Sequence, residues 1–112
     1  MPDIEDARQI ALALPGTEEH WHFGVPAFKV KNRIFATLRP DLQMVMIKLS
    51  LIDQSVFCSF NPAIIYPVPN KWGTKGATIF ELKHLPSGML EDALTTAWQT
   101  IISKNSHKTK KF

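Results

Sequence analysis

The chain reads as an α+β protein: a two-layer sandwich of three helices on an antiparallel sheet of about five strands, in the order α-β-β-β-β-α-β-α. Three observations predict it. The stretch Gly24–Leu38 holds two apolar-rich runs around Lys31-Asn32 and reads as a β-hairpin. Other β-rich runs flank it through loops too short for parallel crossovers, which makes the sheet antiparallel. Amphipathic helical patterns stand at both ends and once in between, and such helices must cover one sheet face.

The first helix is predicted over Ile4–Leu14. Asp3 caps it, Glu5 and Asp6 favour its first turn, and Ile4, Ala7, Ala11 and Leu14 form its apolar stripe. Pro15-Gly16 stops it. Thr17–Phe23 reads as a first strand, with His20 and His22 on one face and Trp21 and Phe23 on the other. In the hairpin, Asn32 suits a turn that needs positive φ. A two-residue Lys31-Asn32 loop pairs Val30 with Arg33 and Phe28 with Phe35. Lys29 and Lys31 then project from the other face, together with Ile34, Ala36 and Leu38. A turn at Arg39-Pro40-Asp41 leads to Met44–Leu49, whose near-continuous apolar run suits an interior strand.

Ser50 is a plausible cap for a second helix running to about Phe60, with Ile52, Val56 and Phe60 as its expected buried stripe and Cys58 facing the core. Ile64–Tyr66 is a candidate short extra strand, and Pro67 and Pro69 exclude it from the sheet centre. After a loop holding Trp72-Gly73, Ala77–Leu82 reads as the last strand. The third helix is expected over Ser87–Ser103, on a stripe of Leu90, Leu94, Ala97 and Ile101 widened by Ala93, Trp98 and Ile102. The organisation expected is one domain over residues 1–103 and a basic, flexible tail over 104–112.

At 112 residues the chain has room for one core. No apolar run approaches the roughly 18–20 residues of a membrane span, so no membrane partner is expected. The acidic start, Met-Pro-Asp-Ile-Glu-Asp, does not resemble a secretory signal. A single cysteine, Cys58, excludes an internal disulfide, and a cytoplasmic setting is expected. The net charge of +3 is unevenly spread. Residues 1–27 sum to −4 and residues 84–103 to −2, whereas 28–83 sum to +5 and the tail adds four lysines. Without the tail the chain is near neutral, so the pI of 9.2 overstates its pull on an anionic partner.

Five landmarks stand in register along the chain: Ala13-Leu14-Pro15-Gly16, Gly24-x-Pro26-Ala27-Phe28-Lys29-Val30, Arg33-Ile34-Phe35-Ala36, Trp72-Gly73-x-x-Gly76-x-Thr78 and Ala97-Trp98. In these the sequence resembles the MmcQ/YjbR-like family of small bacterial proteins. The resemblance implies a compact, CyaY-like α+β fold with a "double wing" of β-hairpins, and it brings a DNA-binding label. The chain departs from the family pattern at Asn32, where members often have glycine. It departs again at Ile102-Ser103-Lys104, where many have Ala-Pro-Lys.

The candidate nucleic-acid-binding residues are Lys29, Lys31, Asn32 and Arg33 on the hairpin, with Arg39, Lys48, Lys71, Trp72 and Lys75 as neighbours. Lysines neutralise phosphates, Arg33 or Asn32 can approach a base edge, and Trp72 can stack or plug a pocket. The alternative is a protein-interaction or homodimerisation module, because three helices cover only one sheet face. His20-x-His22 has a spacing that can hold a metal, but a third ligand would have to be Glu18, His84 or something distant. No phosphate loop, nucleophile elbow or paired catalytic acids occurs, so neither enzymatic activity nor a cofactor is expected.

Overall fold

A computed structural model describes residues 2–109, with side chains through Ser103. Helix α1 (Ile4–Ala13) is followed by strands β1 (Glu18–His22), β2 (Val25–Val30), β3 (Arg33–Arg39) and β4 (Met44–Lys48). Then come α2 (Leu51–Phe60), β5 (Ile65–Pro67), β6 (Ala77–Glu81) and α3 (Ser87–Thr109). The sheet has six strands in the order β1-β2-β3-β4-β6-β5, all antiparallel. The sixth is the short candidate at Ile64–Tyr66. It lies at the edge, where Pro67 costs no ladder hydrogen bond.

The three helices lie on one side of this sheet, as the amphipathic patterns require. Asp3 and Asp6 form a reciprocal capping box that starts α1. The predicted α3 stripe is buried at Leu90, Leu94, Ala97 and Ile101. Trp98 Nε1 donates to the Pro15 carbonyl at 2.8 Å, tying α3 to the end of α1. The Arg8 guanidinium donates to Glu19 at 2.8 Å, linking α1 to the edge strand β1. Helix α3 runs past its expected end at Ser103 to Thr109, into the expected tail; residues 110–112 of that tail, and the side chains from Lys104 on, lie outside the described residues.

Two expectations need correction. The Lys31-Asn32 turn forms as expected, with φ of 52° and 66°, and Val30 pairs with Arg33. Phe28, however, pairs with Ala36, because β3 carries a bulge at Phe35. Strict alternation from the turn would have aimed Thr37 and Arg39 at the core and left Ala36 and Leu38 outside. The extra residue reverses this. Phe28, Phe35, Ala36 and Leu38 all join the core, and only Ile34 stays on the face of Lys29.

The second correction concerns α2. Its expected buried stripe is exposed: Ile52 by 78%, Val56 by 62% and Phe60 by 52%. The face turned inward instead holds Gln54, Phe57 and Cys58. Gln54 Nε2 reaches the Gly73 carbonyl (2.9 Å), the Ala77 carbonyl (3.2 Å) and Thr78 Oγ1 (3.1 Å), while Phe57 meets Phe80 edge-on at 5.9 Å. A helix apolar on both sides has no unique rotation by hydrophobicity alone. The buried amide network selects one, since an unpaired buried polar group costs about 1–3 kcal/mol.

Candidate functional site

With every helix on one side, the other face of the sheet is open. Cross-strand pairing defines its rows. One runs His20, Ala27, Thr37, Met46, Ile79 and Tyr66 across all six strands. A second brings Glu18, Lys29 and Ile34 into line, with Lys48 and Ala77 continuing it on β4 and β6. Arg39 and Met44 form a pair on the far side of the central row. A groove of about 1120 Å³ crosses this face, with Ile34, Thr37, Met46 and Ala77 in its floor. His22 and Phe23 stand at one end of it and Trp72 at the other.

The aromatic end pieces are held by local backbone chemistry. Phe23 and Gly24 both have positive φ, 55° and 81°, and make the tight β1–β2 turn. That turn leaves the Phe23 ring 94% exposed and edge-on to His22 at 4.4 Å between ring centroids. At the other end the Asn70 side chain accepts the Trp72 backbone N–H at 2.8 Å. The Trp72 ring is 61% exposed.

Of the nine predicted site residues, Arg39, Lys48 and Trp72 line the groove, and Lys29 stands beside Ile34 on the same face. The other five do not join them. Lys31 and Asn32 form the hairpin tip, and Arg33, opposite the buried Val30, falls on the helix side of the sheet. Lys71 and Lys75 are exposed in the loop around Trp72. Arg39 makes a single long contact with Asp41, 3.4 Å, and its Nε finds no acceptor among the described residues. Lys29, Lys48, Lys71 and Lys75 take part in no ion pair among the described residues. Sequence reasoning missed Phe23, Ile34, Thr37 and Met46 as groove residues. The Phe23-Gly24 dipeptide was a readable turn signal, but the bulge that sorts β3 was not.

His20 and His22 share the open face, as their alternation predicts, with ring centroids 6.2 Å apart. Among the described residues no group of three or more metal-binding side chains assembles around them. Cys58 is partly buried, and that burial raises its thiol pKa and holds it protonated. No helix among the described residues is long and apolar enough to cross a membrane.

The family model named YjbR matches residues 12–100. The chain belongs to the YjbR family. A crystal structure of Deinococcus radiodurans protein DR2400, which carries the family-model domain DUF419, superposes with a TM-score of 0.79 at 22% identity. The match covers 94% of this chain and 82% of that one, and what it shows is the shared fold. No curated protein matches the sequence.

The Trp72-Gly73-x-x-Gly76-x-Thr78 landmark now has a structural account. A Cβ on Gly73 would come within 1.9 Å of the Val68 carbonyl oxygen. One on Gly76, at φ +112°, would come equally close to the carbonyl of Leu49. Thr78 Oγ1 donates to the Gly76 carbonyl at 2.9 Å and accepts from Gln54. These residues lock the loop to α2, and only Trp72 of the four is left facing outward.

Proposed function

We propose that this YjbR-family chain is a non-catalytic DNA-binding protein that contacts DNA through the open face of its sheet, flanked by the basic hairpin tip. One observation supports the reading above all others. Lys29, Lys48 and the poorly satisfied Arg39 share the single sheet face that no helix covers, and that face forms a groove between exposed aromatic rings. Cations so arranged suit phosphates, and exposed rings suit bases.

The test is fluorescence anisotropy with labelled single-stranded and duplex oligonucleotides across a salt series. Neutralising several phosphates makes log K fall with log salt, by about 0.7–0.9 per phosphate. Joint replacement of Lys29, Arg39 and Lys48 by Gln is expected to weaken binding and flatten that slope. No binding of either form at low salt would sink the reading. Binding lost only when Lys104, Lys108, Lys110 and Lys111 are replaced would reduce it to a nonspecific tail effect.

A second reading, a homodimerisation module, is favoured by α2. Leu51, Ile52, Val56 and Phe60 are all more than half exposed there, and the intervening Ser55 and Ser59 are small. Two copies packed about a twofold axis would cover this stripe without burying a charge. On this reading the mass in solution rises with concentration and Ile52→Glu abolishes the rise. A monomer at every concentration excludes it.

A further inference from the structure

We infer that the ligand of the open face is single-stranded DNA, laid across the sheet with bases on its aromatic ends, and that a duplex is not the preferred form. The inference rests on the DNA-binding reading above and narrows it.

The sheet is too wide for a duplex groove. A two-stranded ribbon enters a duplex major groove because it is narrow and its edges are free. The β2–β3 hairpin is neither, since β1 and β4 are bonded to its two sides. Four strands span three inter-strand spacings, roughly 14 Å before side chains are added. The major groove is about 12 Å wide. Beyond the paired ends of β1 and β4 the hairpin carries only Val30–Phe35, and Val30 and Phe35 are held in the core, so the free end is Lys31–Ile34, long enough to touch a backbone but too short to lie along a groove.

The face is also chemically complementary to an opened strand. In a duplex the base faces are stacked away, so exposed rings and an apolar floor gain nothing from it. In a single strand the base faces are available, and each stacks on an aromatic ring whatever its identity. The Phe23 and Trp72 rings stand at opposite ends of a groove whose floor is Ile34, Thr37 and Met46. From β2 to β6 is again three spacings, roughly 14 Å. A strand of about four or more nucleotides covers that distance. Lys48 and Arg39 lie on opposite sides of the central row, roughly 13 Å apart along the strands, where they can meet phosphates that are not adjacent. The methyl and thioether groups of this floor suit a thymine methyl, which uracil lacks. The choice of DNA over RNA follows from that.

The experiment uses the full chain and four labelled probes: a thymidine 15-mer, the matching uridine 15-mer, a mixed-sequence 15-mer and its duplex. The thymidine strand is expected to bind at least tenfold more tightly than the duplex. Trp72→Ala and Phe23→Asn are each expected to weaken it roughly tenfold. Asn tolerates the positive φ of position 23, so the turn is kept, and thermal unfolding checks that both variants fold. Trp72→Phe, which keeps a ring, should restore most of the affinity. A duplex bound as tightly as the single strands overturns the inference and leaves the DNA-binding reading standing. A uridine strand bound tenfold more tightly than the thymidine strand overturns the choice of DNA. Single strands bound with no effect of either ring overturn the stacking geometry. Failure to bind any probe at low salt overturns both readings together.

Discussion

The two faces of the sheet are built from the same strands and solve opposite problems. The face toward α1 and α3 holds Phe28, Phe35, Val45, Ile47 and Phe80, none of them exposed to solvent. The other face holds Lys29, Arg39 and Lys48 among apolar residues that stay partly exposed, such as Ile34 and Met46. The covered face is bound by packing, where each missing methylene is felt. The open face is under no such constraint, because solvated charges contribute little to stability and can be arranged for a partner. The packed core and the exposed cations are thereby separated by the thickness of one sheet, and a single bulge at Phe35 keeps the two residue sets apart.

The sharpest way to break this comparison is to cut into the covered face. Phe80→Ala removes a fully buried ring that Phe57 packs against, and is expected to cost about 3–5 kcal/mol in denaturant unfolding. A loss under about 1 kcal/mol would mean that the core is not where the packing places it. Next in size is Gln54→Ala, which removes the amide that ties α2 to Thr78 Oγ1 and to the Gly73 and Ala77 carbonyls and should cost about 1–3 kcal/mol. If α2 could rotate its Ile52-Val56-Phe60 side inward instead, the cost would shrink, and the burial of those side chains would be seen in their methyl and ring NMR shifts.

Substitutions on the open face should behave differently. Lys29→Gln and Lys48→Gln are each expected to change stability by no more than about 0.5 kcal/mol while lowering DNA affinity. A larger stability loss would show that these lysines hold the fold together.

The smallest effect concerns Tyr66, on the open face at the sheet edge. Its hydroxyl donates to Glu81, and this bond, with burial and the carboxylate charge, raises the phenol pKa above its ordinary value of 10. The stabilisation is therefore full below pH 10 and is lost as pH rises through the higher folded-state value. Tyr66→Phe should lower stability by the same small amount at every pH below 10, including pH 7, and flatten the profile above it. An unchanged alkaline limb would show that the bond contributes nothing.

Much of this was legible along the chain because it depends on neighbours in sequence. Asp3 and Pro15 bracket α1, Lys31-Asn32 makes a positive-φ turn, and Pro67 sends its strand to an edge. Each follows from local sterics and capping. The α3 stripe was equally readable, since Leu90, Leu94, Ala97 and Ile101 offer one apolar side and the opposite side is polar. Family membership was legible too, in landmarks such as Gly73 and Gly76, although the reason for those glycines lay in Val68 and Leu49.

What the local pattern left open was any choice between two faces that both look apolar. In α2 that choice fell to Gln54, whose partners are 19 to 24 residues away and exist only once the loop has folded against the helix. In β3 it fell to the bulge, which no periodicity announces. The same bulge decided the candidate site, because it carried Arg39 to the open face, across the central row from Lys29 and Lys48, and sent Leu38 into the core. Turns, caps and clear stripes are set by interactions a few residues long, and the chain alone determines them. Rotation and register are settled by contacts between distant segments, and for those the packed tertiary arrangement is needed.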